Sequence, residues 1–151
     1  MKKLILAATI ALSSTFAIAN TPVSVEDVKV SYAAEQAFIR EFGAMENVTW
    51  KESKSNLYKA SFELYTEKVS AYFTHDGNLI ATATEKEFDQ LPGKLRNKIS
   101  TKMADATISE IFELNTENEH SYYFKATENG KSKLYKGFSN GSYHESSIAI
   151  H

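Results

Sequence analysis

The first amphipathic segment of the chain has the period of an α-helix. Ala34, Phe38 and Phe42 recur at intervals of four residues, which places them on one face of a helix. Ser31 is a suitable N-cap, and Gly43 can end the helix in a left-handed conformation. The pattern therefore predicts a helix that ends near residue 42.

Four segments with a period of two follow this helix. In the clearest of them Phe62 and Leu64 share one face, and Glu63 and Tyr65 share the other. The pair Asp76-Gly77 is typical of a tight turn between two strands. The alternation predicts strands at 48–51, 57–65, 69–74 and 79–83.

A second helix and a second series of strands are predicted further along the chain. Thr84 and Glu87 have the spacing of a capping box, and Pro92 is suited to the first turn of a helix. Leu95, Ile99 and Met103 then repeat at four-residue intervals. Strands are predicted at 107–114, 121–127, 133–138 and 143–150, with turns at Asn129-Gly130 and Asn140-Gly141.

The two halves of the pattern match at an offset of about sixty residues, so that Phe62 corresponds to Phe124 and Phe73 to Phe138. Each half is one helical segment plus about four antiparallel strands, too little to bury both a helix face and a sheet face alone. We therefore expect an α+β fold, a tandem repeat in one domain (31–151) with repeats at about 31–84 and 85–151 that share one sheet.

The N-terminus has the pattern of a Sec signal peptide. Met1-Lys2-Lys3 is basic, residues 4–12 are apolar apart from Thr9, and Ala17-Ile18-Ala19 is a cleavage signature. We expect cleavage after Ala19, a lead-in over residues 20–30, and a periplasmic or secreted protein.

Composition narrows the classes of function. The sequence has no cysteine, which excludes disulfides, iron–sulfur clusters, thiolate zinc sites and an acylated-cysteine anchor. Without Lys2 and Lys3, the 17 basic residues fall to 15 against 19 acidic ones, a formal charge of −4. A mildly acidic domain without a basic cluster disfavours nucleic acid and acidic membrane surfaces as partners. No second apolar stretch approaches the length of a membrane span.

Packing and turn motifs along the mature chain resemble the PepSY-like, β-lactamase-inhibitor-protein-like family of small exported bacterial proteins. The resemblance rests on Phe38-x-x-x-Phe42, Asn47-Val48-Thr49-Trp50, Phe73-x-x-Asp76-Gly77 and Leu91-Pro92. It implies one curved antiparallel sheet with helices on one face, and an open face that grips an enzyme. Family members are disulfide-stapled in the inhibitor branch, whereas this chain has no cysteine.

Catalytic and metal-binding chemistry finds little support in the sequence. His75, His120 and His144 lie beside hydrophilic or turn residues, and His151 is terminal, without the close spacing that a metal site prefers. No serine stands in a nucleophile-elbow motif, and no glycine-rich phosphate loop is present. We therefore predict no catalytic residue, no metal and no cofactor.

Tyrosine is the feature that points to a function. Tyr65, Tyr72, Tyr123 and Tyr135 are predicted on the strand face opposite the phenylalanines, where they would form a protein-binding surface. The competing interpretation is that these tyrosines only stabilise a half-exposed sheet. A slip of one residue around Tyr135 would invert its assignment. Trp50 is expected in the core beneath the first helix.

Three functions follow from these observations. The first is a non-enzymatic exported module that binds an envelope or extracellular protein, with inhibition or regulation of an enzyme or peptidase as its role. The second is a carrier of a lipid or peptide, with a pocket between helices and sheet. An enzyme ranks last because no buried carboxylate or histidine can be placed in such a pocket.

Overall fold

The structure, a computed structural model, describes residues 28–53 and 55–146. The predicted signal peptide, residues 20–27 of the lead-in, and residues 147–151 lie outside the described part of the chain. In chain order the helices and strands are α1 (Tyr32–Phe42), β1 (Thr49–Glu52), β2 (Tyr58–Leu64), β3 (Glu67–Phe73), β4 (Leu79–Glu85), a 3-10 turn (Phe88–Gln90), α2 (Gly93–Lys102), β5 (Thr107–Thr116), β6 (His120–Glu128), β7 (Lys131–Gly137) and β8 (Tyr143–Glu145).

Both predicted ends of the first helix are found in the structure. The Ser31 hydroxyl accepts a hydrogen bond from the backbone N–H of Ala34 at 3.2 Å, which satisfies one of the free donors of the first turn. Gly43 ends α1 with φ at 81°, in the region that glycine adopts without strain. The sequence pattern therefore places this helix correctly.

The eight strands form one sheet in which every strand pairs with its sequence neighbours. The spatial order is β1 to β8, and all seven pairings are antiparallel. β4 and β5 pair over five residue positions, from Ala81 with Thr116 to Glu85 with Phe112. The hydrogen-bonded ladder therefore continues through the middle of the chain.

The predicted fold class is wrong. A tandem repeat of one helical segment plus four strands, with helices on one face, was expected. Within residues 28–53 and 55–146 the structure is instead dominated by a single eight-stranded antiparallel sheet, with only two short α-helices of 11 and 10 residues. The expected boundary near residue 84 lies inside β4, which is bonded to β5. The sequence predicts a shared sheet, but alternation within a strand carries no information about which strands pair, so the pattern does not show that the ladder runs unbroken from β4 to β5.

The predicted capping box at Thr84 and Glu87 is also wrong. Thr84 lies in β4, opposite Val69 of β3. The capping box is formed one turn later by Glu87 and Gln90, whose side-chain oxygen accepts from the Glu87 N–H at 2.7 Å. α2 begins at Gly93, directly after Pro92.

Apolar side chains pack in three clusters. Phe38 of α1 lies against Trp50 and Phe62 at ring-centroid distances of 5.5 and 5.0 Å, as expected for Trp50 in the core. Leu95 and Ile99 of α2 pack with Phe124 in a second cluster. A third, the sheet cluster, contains no helical residue and consists of Leu57, Tyr72, Ala81, Ala83, Leu114, Tyr123 and Leu134, with Ile80 and Phe112 packed against it.

The last predicted strand is only partly within the described residues. β8 covers Tyr143–Glu145, and residues 147–150 of the predicted segment lie beyond them. Within residues 28–53 and 55–146, no helix is both long and apolar enough to cross a bilayer.

Candidate binding face of the sheet

One face of the sheet carries two lysine–tyrosine pairs. Residues directly opposite in an antiparallel pair point to the same face. Lys59 of β2 is opposite Tyr72 of β3, and Lys136 of β7 is opposite Tyr123 of β6. We call the surface defined by these four residues and the sheet cluster between them the lysine–tyrosine face.

Tyr72 is held in a buried setting on this face. Its residue is 3% exposed, and it lies opposite the small side chain of Ala81 in β4. The ammonium of Lys59 lies 6.0 Å from the centre of its ring, within the range of a cation–π contact. Burial raises the pKa of the Tyr72 phenol to about 12, since the charged form would lose its hydration.

Tyr123 has the corresponding position at the other end of the face. Its residue is 3% exposed, and its ring stacks on Phe112 with the planes 4° apart and the centroids 5.1 Å apart. The Lys136 ammonium lies 5.8 Å from the centre of the Tyr123 ring. Both tyrosine rings are therefore fixed before any partner arrives.

Lys136 is neutralised within the chain. Its ammonium forms an ion pair with Glu119, whose carboxylate also accepts a hydrogen bond from the Ser121 hydroxyl at 3.2 Å. Burial works to lower the pKa of Lys136, but the hydrogen bond to Glu119 and the neighbouring Tyr123 outweigh it, so the pKa is raised. This lysine stays charged and paired.

The four tyrosines chosen from the sequence are not brought together. Tyr72 and Tyr123 share the sheet cluster, but they are buried rather than exposed as expected. Tyr135 is opposite Phe124 and stacks on it at 5.5 Å beside α2, so its predicted placement is wrong. Tyr65 is 91% exposed and has φ at 52°, in the turn between β2 and β3. A protein-binding role for the four stays a prediction.

A network of charged residues lies on the opposite face of the central strands, and the sequence analysis missed it. Glu113 lies 2.5 Å from Nε2 of His120 and 3.5 Å from Nζ of Lys86. Lys86 also contacts Glu67 at 2.5 Å, and the Tyr122 hydroxyl donates to Glu113 at 3.4 Å. These residues meet because β4, β5 and β6 are neighbours, which the sequence pattern does not state.

The pKa values of Lys86 and Tyr122 are both shifted by this network. Burial works to lower the pKa of Lys86, but the hydrogen bond and charge of Glu67, with Glu113, outweigh it and raise the pKa. Burial raises the pKa of Tyr122, and the negative charge of Glu113 adds to the effect. The positive charge of Lys86 is therefore balanced by the carboxylates of Glu67 and Glu113, as expected of an ion-pair network that stabilises the fold.

The described histidines lie apart from one another. His75 stacks on Tyr58 at 4.3 Å, His120 contacts Glu113, and the ring of His144 is 5.9 Å from that of Phe138. Across residues 28–53 and 55–146, no cluster of three or more histidine and carboxylate side chains could hold a metal ion. His151 lies outside this part of the chain.

A surface pocket of about 250 Å³ lies at the ends of β4 and β5, away from the residues that pack with either helix. The carrier hypothesis required a pocket between the helices and the sheet. Pockets that bury a drug-sized ligand usually measure about 300–1,000 Å³. The pocket is lined by Leu79, Ile80, Ala81, Thr82, Asn115, Thr116 and Glu117.

Solved structures with the same fold come from Bacteroides. A BLIP-like protein from Bacteroides fragilis NCTC 9343 is 17% identical, covers 80% of this chain and 89% of its own, and has a TM-score of 0.69. A protein described as a candidate periplasmic protein, from Bacteroides eggerthii DSM 20697, is 12% identical over 77% of this chain and 88% of its own, with a TM-score of 0.69.

A DUF2874 family protein from Bacteroides ovatus ATCC 8483 is 13% identical over 76% of this chain and 86% of its own, with a TM-score of 0.69. No family model matches the sequence, and no curated protein matches it significantly. At these identities the likeness establishes the fold, which is that of the BLIP-like and DUF2874 structures.

Proposed function

We propose that this chain is an exported, non-enzymatic binding module that engages an envelope or extracellular protein through the lysine–tyrosine face. In this proposal it inhibits or regulates an envelope enzyme or peptidase. The proposal includes export by a signal peptide over residues 1–19, a single domain over 31–151, and a place in the PepSY-like family.

The observation that carries the proposal is the pair of fixed lysine–tyrosine contacts on either side of the sheet cluster. Tyr72 and Tyr123 are immobilised by packing, so a partner that docks there orders few side chains and loses little entropy. The rings are buried, so the partner would touch the lysine head groups and the partly exposed Phe112 and Ile80. An apolar centre with a charged border is typical of a protein interface.

The fold likeness supports the same reading. One of the similar structures is BLIP-like and another is described as a candidate periplasmic protein. Binding and location are carried over to this chain as part of the proposal. The predicted signal peptide agrees with them independently of the fold.

Site-specific photo-cross-linking in cells that make the protein tests the proposed face. A benzophenone amino acid is placed at Ser61, whose hydroxyl lies 3.5 Å from that of Ser70 on this face. The control position is Lys102, an exposed residue in the last turn of α2. We expect one discrete adduct from position 61 and none of that mass from position 102. Identical adducts, or none at position 61, would contradict the proposal.

The regulatory part of the proposal has its own measurement. The adduct is identified, and the captured protein is assayed with and without the purified chain. We expect its activity to change in proportion to complex formation. A captured protein whose activity is the same when fully bound would leave binding established and regulation refuted.

A further inference from the structure

The two lysine–tyrosine pairs differ in how their positive charge is compensated. Lys136 forms an ion pair with Glu119. No ion pair joins Lys59 to a carboxylate anywhere in residues 28–53 and 55–146. The same residue pair therefore occurs twice on one face, once with its carboxylate and once without.

A second positive charge lies directly beside Lys59. Lys51 of the edge strand β1 is its cross-strand partner, so both side chains project from the same face. Like charges directly opposite in a sheet are destabilising. Neither lysine forms an ion pair within the described part of the chain, so no carboxylate there lies within ion-pair distance of either ammonium group.

The titration of Lys59 agrees with this arrangement. Burial lowers the pKa of Lys59 and the charge of Lys51 lowers it further, while the charge of Glu85, the smallest of the three causes, acts in the opposite direction. Glu85 itself lies 3.4 Å from Lys68. The partly buried ammonium at the Tyr72 end thus lacks the counter-charge that its counterpart at the Tyr123 end receives from Glu119.

We propose that the corner formed by Lys51, Lys59 and Tyr72 binds a carboxylate from an acidic segment of the protein partner. The inference rests on the proposed binding face and specifies the chemistry that it recognises. An aspartate or glutamate of the partner would take the position that Glu119 has relative to Lys136. An apolar residue next to that carboxylate would pack on the sheet cluster near Ile80.

An acidic polypeptide fits the corner better than a polyanion does. Two lysines suffice to bind one carboxylate through charge-assisted hydrogen bonds. The mature chain has a formal charge of −4 when Lys2 and Lys3 are removed with the predicted signal peptide, and such a charge repels a long phosphate backbone. The negative charge of the partner is therefore expected to be local and to come with apolar neighbours.

Two matched synthetic peptides test the inference by NMR titration of the isotope-labelled protein as the cell exports it. The acidic probe is acetyl-Gly-Glu-Phe-Glu-Gly-amide, and the neutral probe carries glutamine in place of both glutamates. We expect the acidic probe to bind about tenfold more tightly, to shift the Lys51 and Lys59 side-chain signals, and to raise the pKa of Lys59. Equal binding of both probes, or no binding of the acidic one, would overturn the inference.

Charge-removing variants provide the second arm. The double variant Lys51→Met, Lys59→Met keeps the length of both stems and should weaken binding of the acidic probe about tenfold. Lys102→Met removes one positive charge outside this face and should leave the affinity within about twofold. The relief of repulsion should leave the double variant folded, which thermal unfolding verifies. Unchanged affinity in the double variant would refute the inference.

The outcomes separate this inference from the proposed function. Capture of a partner at position 61 that persists in the double variant would retain the binding face and reject the carboxylate site. Loss of capture in the double variant but not in Lys102→Met supports both.

Discussion

Gly77 packs so closely against Ala33 that a Cβ atom added to Gly77 would lie 2.5 Å from the backbone carbonyl oxygen of Ala33, which brings the turn between β3 and β4 against the first turn of α1. The Ser31 hydroxyl strengthens the same junction by donating to the carbonyl oxygen of His75 at 2.7 Å. α1 is therefore held by the turn as well as by its apolar face.

Gly77→Ala should destabilise the fold by about 2–4 kcal/mol, because a methyl group would clash with backbone and φ is +82°. Gly130→Ala is the matched control, since Gly130 has φ of +73° and open space around its Cβ position. The control should lose only about 1 kcal/mol. Urea unfolding followed by the fluorescence of the single tryptophan, Trp50, measures both. Equal losses would show that the contact with Ala33 has no energetic weight.

Phe38→Ala should lower the free energy of unfolding by about 3–5 kcal/mol, because Phe38 is 4% exposed and removal of its ring leaves a cavity among Trp50, Phe62 and Phe73. Ile39→Ala, the next residue on α1, should change stability by no more than about 0.5 kcal/mol, since Ile39 is 48% exposed. Calorimetric unfolding compares the two. A small loss in Phe38→Ala would mean that α1 contributes little to the core.

The raised pKa of Tyr72 predicts a specific loss of stability in alkali. The phenol titrates at about 12 in the folded chain and near 10 when unfolded, so the unfolded state releases its proton first. The part of the free energy of unfolding that depends on the Tyr72 phenol is fully present below about pH 10. It is lost as the pH rises towards 12, and the loss is on the order of 2 kcal/mol. Tyr72→Phe should remove this part of the pH dependence in denaturant unfolding curves. An identical alkaline profile in the variant would contradict the burial of the phenol.

Glu113→Gln should destabilise the fold by about 1–2 kcal/mol at neutral pH, because the Lys86 side chain is only 14% exposed and loses one of its two carboxylates. The pKa of Lys86 is higher in the folded state than in the unfolded state. The stability that the charged Lys86 provides is therefore fully present below its pKa in the unfolded state and is lost as the pH rises through its pKa in the folded state. The difference between wild type and variant should therefore narrow in alkali. Glu41→Gln, which breaks the exposed Arg40–Glu41 pair, should have no measurable effect. A loss that is independent of pH would indicate repacking instead.

Local pattern was sufficient to locate the helices and strands. The spacing of Phe38 and Phe42, the Ser31 cap and the Asp76-Gly77 turn each depend on residues close in sequence. Strand pairing depends on contacts between distant residues, and the alternation is the same whether β4 ends at a boundary or bonds to β5. The predicted division into two repeats is therefore wrong, although the helices and strands within the described residues are found.

Only part of the candidate site can be predicted from the sequence. Parity along β3 and β6 correctly separates Tyr72 from Phe73 and Tyr123 from Phe124, but it cannot give the degree of burial. Tyr135 was misplaced by the one-residue slip to which a period of two is always open. The sequence pattern does not predict the two lysine–tyrosine contacts, because each lysine lies on a different strand from its tyrosine and the pairing register is not known from the sequence.

The pairing of β4 with β5 affects how the protein unfolds. Neither half can leave the sheet without breaking the five-residue pairing at its centre and exposing Ala83 and Leu114, which face each other there. Unfolding should accordingly be a single cooperative transition. The slowest-exchanging amide protons of β4 and β5 should then exchange with the same free energy of opening. The two ends of the sheet would then be folded or unfolded together.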